Sequence, residues 1–295
     1  MNKLISFIVL FLVFTLNAYS FELDKRYPLS DEEWIEVYEN IDWGNGPTTI
    51  THTSADARVK IHENEIYLTN RNLINQWLYY ENGIDFGNQI EIYILNLDNF
   101  SARTYGNFSK DGYIKIDDWN EIDHTKFIKE KKDLYMSSND LREQSGADTI
   151  TDVVWIYKPK LYRDKNIVEY SFKVTWRSKD GEMYNSTDST VLHLGRYGYS
   201  SCTFVVDHRD YQLAKYTFEK IKDDYVFNDT HQYSDFKQGD KVAAYGIGAL
   251  LAASMGIKGI AKAGFMATLM LFAKKAWFIL LLPFIFIGRL FNRKS

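Results

Sequence analysis

Between residues 168 and 177 the chain reads Val-Glu-Tyr-Ser-Phe-Lys-Val-Thr-Trp-Arg, with apolar and polar residues alternating at every step. Strand side chains point to opposite faces in turn, so this pattern specifies a strand with one apolar face that has to be buried. Lys179-Asp180-Gly181 then supplies a hairpin turn, residues 182–196 return as the partner, and residues 199–206 follow as a third strand. Consecutive hairpins commit the chain to an antiparallel sheet, and the apolar face of that sheet needs a cover.

Three helical stretches can supply it. Ser30-Asp31-Glu32-Glu33 is a capping box, Trp34, Val37, Tyr38 and Ile41 fall on one helix face behind it, and Gly44-Asn45-Gly46-Pro47 stops the helix. Residues 122–141 set Ile122, Phe127, Ile128, Leu134 and Tyr135 among lysines and acids, an amphipathic helix. Residues 209–224 form a third helix that carries Leu213, Tyr216, Phe218 and Ile221. Residues 58–69, 89–97 and 101–116 are rich in Ile, Tyr and Val and read as further strands, broken by turn residues over 107–112. This order predicts an α+β fold, an antiparallel sheet with packed helices, plus a C-terminal helical membrane segment. A split near 139–147 would divide the domain in two.

The two ends read differently from the middle. A basic start, an apolar run over 4–16 and small residues at Ala18 and Ser20 predict a signal peptide over 1–20, cleaved before Phe21. Residues 21–240 are then the exported domain, and 241–295 a glycine-rich helical membrane anchor with a short basic cytoplasmic tail. No acid follows Asp240, whereas Lys258, Lys262, Lys274, Lys275, Arg289, Arg293 and Lys294 do. Residues 276–288 are thirteen uncharged residues, about 20 Å of helix against a hydrocarbon core of about 30 Å. A span therefore has to draw in 269–273 with Lys274 and Lys275 snorkelling. The rival topology is two short spans, 242–257 and 276–291, with the lysines between them cytoplasmic. Gly246, Gly248, Gly256, Gly259 and Gly264 give the first half of the tail a small-residue surface suited to helix contact, with a second copy or an envelope protein as partner and the lipid bilayer as surroundings.

Composition removes several classes of function. A net charge of −4, with no acid after Asp240 to offset the lysines and arginines of the tail, leaves an acidic exported domain ill-suited to nucleic acid. The lone Cys202 cannot form an internal disulfide and reads as a buried structural thiol. His52, His62, His124, His193, His208 and His231 form no metal-binding pair, and Gly246-Ile-Gly248 follows no strand as a dinucleotide loop would, so no metal or cofactor is expected.

Two sets of residues remain as weak ligand-binding candidates. In His193-Leu194-Gly195-Arg196, alternation puts His193 and Gly195 on one face and Leu194 and Arg196 on the other; Arg196 could grip a carboxylate or phosphate, or pair structurally with Asp117 or Asp118. Asp111, Asp117 and Asp118 could meet a hard cation, but their spacing is not that of a calcium loop, and a solvated turn is the plainer reading. No catalytic cluster stands out.

Several motifs resemble a family of bacterial membrane-anchored proteins, the domain of unknown function 2167. They are Trp43-Gly44-Asn45-Gly46-Pro47, Asp111-Gly112-Tyr113-Ile114-Lys115, Trp155 with Pro159 to Asp164, Leu192-His193-Leu194-Gly195-Arg196-Tyr197-Gly198, and Gly239-Asp240-Lys241-Val242-Ala243-Ala244-Tyr245-Gly246. The resemblance implies secretion, a C-terminal anchor and a shared domain, and no reaction; a helical anchor with no lipobox cysteine near Ser20 points to the bacterial inner membrane. The expectation is an envelope protein whose extracytoplasmic domain binds or scaffolds. The alternatives are a hydrolase or ligand-processing enzyme using Arg196 with Asp117 and Asp118, and a membrane-active protein working through its tail.

Overall fold

The computed structural model describes residues 29–83, 87–98 and 102–256. The signal expected over 1–20, and the tail from 257 onward with Gly259 and Gly264, lie outside the described residues. Helix α1 (Asp31–Asn40) leads to β1 (Gly44–Asn45), β2 (Thr48–His52), β3 (Ala57–Ile61) and β4 (Glu65–Leu68). Helix α2 (Arg71–Asn82), β5 (Ile92–Asn96), β6 (Arg103–Ser109) and β7 (Tyr113–Lys115) follow, then α3 (His124–Met136) and α4 (Asn139–Ser145). Four long strands, β8 (Thr149–Tyr162), β9 (Ile167–Arg177), β10 (Met183–Leu194) and β11 (Tyr199–Asp207), precede α5 (Tyr211–Asp224), β12 (Tyr225–Phe227), β13 (Val242–Gly246) and α6 (Ile247–Ser254).

The centre is one eight-stranded sheet, ordered β1-β4-β5-β6-β11-β10-β9-β8, with every neighbouring pair antiparallel. The hairpins read from the sequence are its β9-β10-β11 core. Two tight edges close it: β1 is two residues long, and β8 breaks register at three places and carries Pro159, both devices that keep an edge from pairing further.

Register assigns each side chain to a face. On the front, Tyr93, Tyr105, Thr203, Thr190 and Tyr170 form one row across the strands, and Arg103, Val205, Asp188 and Phe172 form the next. Helices α1 and α2 cover one end of this face, Ile74 and Trp77 packing with Leu68 and Tyr93. Helices α3 and α6 cover the other end, Phe127, Leu250 and Leu251 packing with Phe172 and Leu192. The back carries Ile92, Ile94, Cys202, Val191 and Phe204 under α5 and a small sheet ordered β12-β3-β2.

The structure corrects the sequence reading in four places. The alternating strand β9, read as having one face to bury, is covered on both: Glu169 and Ser171, on its polar side, are buried because α5 lies over them. On α5 itself Phe218 is buried, but Leu213 and Tyr216 are 69% and 72% exposed, since the helix rests on its Tyr211, Ala214 and Phe218 side. The stretch between the strands at 58–69 and 89–97 is helix α2, capped by Asn70 and ended by left-handed Gly83, with Ile74, Trp77 and Leu78 buried.

The fourth correction concerns the boundary expected at 240. Val242–Gly246 pairs parallel with β7, and α6 buries Ile247, Leu250, Leu251 and Ala252 in the main core. The apolar character of 242–255 that suggested membrane is spent inside the domain, and α6, eight residues and about 12 Å long, is no span. Among the described residues no helix is long and apolar enough to cross a membrane.

Candidate functional site

The motif residues meet at one end of the sheet and lock the last strand in place. Arg196, expected to face Asp117 or Asp118, instead forms a two-pronged pair with Asp240: Nε to Oδ2 is 2.7 Å and Nη2 to Oδ1 is 2.8 Å. Its Nη1 also donates to the Thr230 carbonyl at 3.2 Å. This guanidinium, with the Lys237 backbone N–H, holds the Asp240 carboxyl down at about 2. Asp118 faces elsewhere, accepting from the backbone N–H of Ile247 at 2.9 Å and of Gly248 at 3.1 Å, and so caps the start of α6. Asp117 is exposed. The proposed grouping of Arg196 with these two carboxylates therefore does not form.

The glycines have local reasons. A Cβ at Gly246 would run into the Asp118 carboxylate, and one at Gly248 would stand 3.0 Å from Asp118 Oδ2, so these two admit the cap rather than a membrane helix. Gly256, left-handed at φ 74°, ends α6 against Leu134. Gly112, at φ 105°, lets Tyr113 N–H reach the Lys241 carbonyl at 2.8 Å, and the Tyr245 hydroxyl donates to Asp111. His193 is sealed on the back: Nε2 donates to the Ile221 carbonyl at 3.1 Å, the ring lies against Tyr225, and burial pulls its pKa down to about 4. Burial likewise pushes the Cys202 thiol up to about 12, which leaves it unreactive. Among the described residues no group of His, Cys, Asp and Glu could hold a metal.

An open site lies elsewhere, on the front face where the two helical layers stop short of each other. The gap is a cleft of about 620 Å³, floored by β6, β11, β10 and the end of β9, and walled by α2 on one side and α3 and α4 on the other. Its floor is polar: Arg103, Tyr105, Asn107, Thr203, Ser186 and Asp188. Glu81 on α2 anchors one side, its Oε1 accepting from Arg103 Nε at 2.8 Å and from the Tyr93 hydroxyl at 3.0 Å. Trp176 forms part of the opposite wall, with the Arg142 guanidinium 5.0 Å over its ring.

Charge in this cleft is held at a cost. Burial raises the Asp188 carboxyl, opposed by the hydrogen bond from Ser186 and by Lys131. Lys131 is 7% exposed, donates to the Met255 carbonyl at 2.9 Å, sits 3.7 Å over the Tyr135 ring, and is pulled by burial down to about 7. None of the cleft's charged residues was singled out by motif. The available signal was a charge in mid-strand: Asp188 interrupts the run toward Val191 and Leu192, and Arg103 shares a face with Tyr105 and Asn107.

Fold and cleft together define an α+β domain built on one large antiparallel sheet with an open polar trough on one face. The family model "Protein of unknown function (DUF2167)" matches residues 42–285, and the chain belongs to that family. No curated protein matches the chain. Among solved structures it is similar to cyanobacterial PsbP (CyanoP) from Synechocystis sp. PCC 6803, with TM-score 0.38 and 10% identity, covering 61% of this chain and 92% of that one. It is also similar to the Ran-binding protein Mog1p of Saccharomyces cerevisiae, with TM-score 0.34 and 8% identity, covering 66% of this chain and 100% of that one.

Proposed function

We propose that the domain is a binding module that takes a small polar ligand in the front-face cleft. The observation that carries this reading is that the front-face cleft leaves a polar and charged floor, Arg103, Tyr105, Asn107, Ser186 and Asp188, open between the helical layers. Clefts of about 300–1,000 Å³ with a few convergent polar groups are the usual form of a small-ligand site, and this one has that size. A charge held against burial without full compensation weakens a fold, so Asp188 at the floor, with the partly exposed Arg103 across from it, makes sense as a group completed by a ligand. The reading is of binding.

Native mass spectrometry of the full-length chain, released gently from detergent, tests it. A small-molecule adduct is expected on the wild type and not on Val205→Trp, whose indole would fill the floor between Arg103 and Asp188. No adduct, together with no change in melting temperature across a panel of small polar compounds, refutes the reading.

The setting proposed for this module is the bacterial envelope, with the domain exported and the chain tethered through residues beyond 256. The apolar run at 4–16 and the acid-free, lysine-bearing tail support it. Contact between tail helices of two copies, or with an envelope protein, belongs to the same proposal. A reporter enzyme fused after Ser295 should be active on the cytoplasmic side; activity only outside excludes a single pass.

A further inference from the structure

Two charged groups of the cleft end without a protein partner, and one residue separates them. Arg103 is fixed from behind by Glu81 through Nε, while Nη1 and Nη2 have no hydrogen-bond partner among the described residues. The Glu81 side chain that fixes it is 8% exposed, so the fork is held firmly and its open side is presented to the cleft. Asp188 Oδ1 accepts from the Ser186 hydroxyl at 2.9 Å, and Oδ2 has no donor among the described residues. Lys131, the nearby cation, is committed to the Met255 carbonyl and the Tyr135 ring.

The register gives the spacing. Arg103 pairs with Val205 and Val205 with Asp188, so the two charged residues stand on one face two strand spacings apart, about 10 Å between backbones. Arg103 is drawn toward α2, away from Asp188, which keeps the gap open. A ligand bridging it needs a negative group at one end, a positive group at the other, and a body between them. A free amino acid holds its two charges too close together. Two or three extended residues, at about 3.3–3.6 Å each, span the gap.

Resting on the binding-module reading above, we propose that the cleft binds a short peptide of two or three residues, its terminal carboxylate on Arg103 Nη1 and Nη2 and its terminal ammonium on Asp188 Oδ2. Tyr105 and Thr203, in the neighbouring row, offer hydroxyls to the peptide group between. Burial already raises the Asp188 carboxyl, and an arriving ammonium reverses that penalty. The same pairing selects against other charge types. A dianion meets Asp188 and a dication meets Arg103, so each is repelled at one end.

Calorimetric titration of the full-length chain in detergent at pH 7 tests this with four probes: alanyl-alanine, its N-acetyl form, its C-terminal amide, and alanine. The dipeptide is expected to bind, with each cap, and the loss of one residue, weakening binding at least about tenfold, the scale of a lost hydrogen bond to a charge. In Arg103→Met the amide should bind as the dipeptide does. In Asp188→Asn the N-acetyl form should do so. Near-ultraviolet circular dichroism confirms that both variants are folded, and Arg103→Gln replaces the first if it is not. No dipeptide binding, equal affinity for capped and free forms, or discrimination that survives both substitutions overturns the proposal. An adduct that Val205→Trp abolishes, with no preference for free termini, refutes the peptide and keeps the binding module; binding undisturbed by Val205→Trp refutes both.

Discussion

The two faces of the central sheet both carry charge in mid-sheet, and they treat it in opposite ways. On the back, Glu169 lies under α5 with Lys222 Nζ 2.5 Å from its Oε2, both nearly out of reach of water, and Ser171 and Ser189 share a 2.7 Å hydrogen bond beside them. On the front, Arg103 and Asp188 stand on the same sheet with one strand, β11, between them, and each keeps hydrogen-bonding groups unused. A sealed pair has become part of the fold, and removing one member leaves the other buried with less compensation. An open pair is held by the fold for something the fold does not supply.

The sharpest way to break this comparison is to remove one charge from each face. Glu169→Ala leaves Lys222 buried with only the half-exposed Glu219 nearby, and should cost about 3–5 kcal/mol in denaturant unfolding. A loss under 1 kcal/mol would mean that the back is no more closed than the front.

The second test uses His193, also on the back and neutral in the fold. Its folded pKa of about 4 lies below the ordinary 6.5, so between these values the unfolded chain binds a proton that the folded chain does not. Stability contributed by the neutral ring is complete above pH 6.5 and lost as pH falls toward 4, on the order of 3 kcal/mol. His193→Leu should flatten the wild-type slope over that window; an unchanged slope would deny the burial.

Arg196→Met probes the clasp at the sheet's end and should lower the melting temperature at neutral pH. The Asp240 carboxyl is depressed to about 2, so its share of stability is present above pH 3.8 and disappears as pH falls through 2. Wild type and variant should therefore converge in strong acid. The smallest effect belongs to the front face. Asp188→Asn removes a carboxyl that burial already disfavours, and should shift stability by less than about 1 kcal/mol, in either direction, at neutral pH.

How far the sequence reaches follows the same division. The β9-β10-β11 hairpins, the capping box at Ser30 and the helix at 209–224 are local patterns, and the structure has them. Helix α2 was legible in principle from the Asn70 cap, the Ile74, Trp77 and Leu78 spacing and Gly83, but it lies among aromatic residues that also suit strands. The apolar stretch at 242–255 illustrates a limit of composition: burial in a core and burial in lipid ask for the same residues, and only pairing with β7 and packing against Phe127 distinguish them. Arg196, Asp118, Gly246 and Gly248, singled out from the sequence, turn out to hold the fold together. The cleft residues carry no motif, because Glu81, Arg103 and Asp188 come from three separate segments that only the strand register brings together.

Hydrogen exchange of the full-length chain with and without saturating alanyl-alanine tests the asymmetry of the two faces most directly. Protection is expected to rise in α2, α4 and the strand β6 that border the cleft, with α5 and β2–β3 on the back unchanged. Protection confined to the back, or none on either face, would contradict the assignment of the front cleft as the binding site.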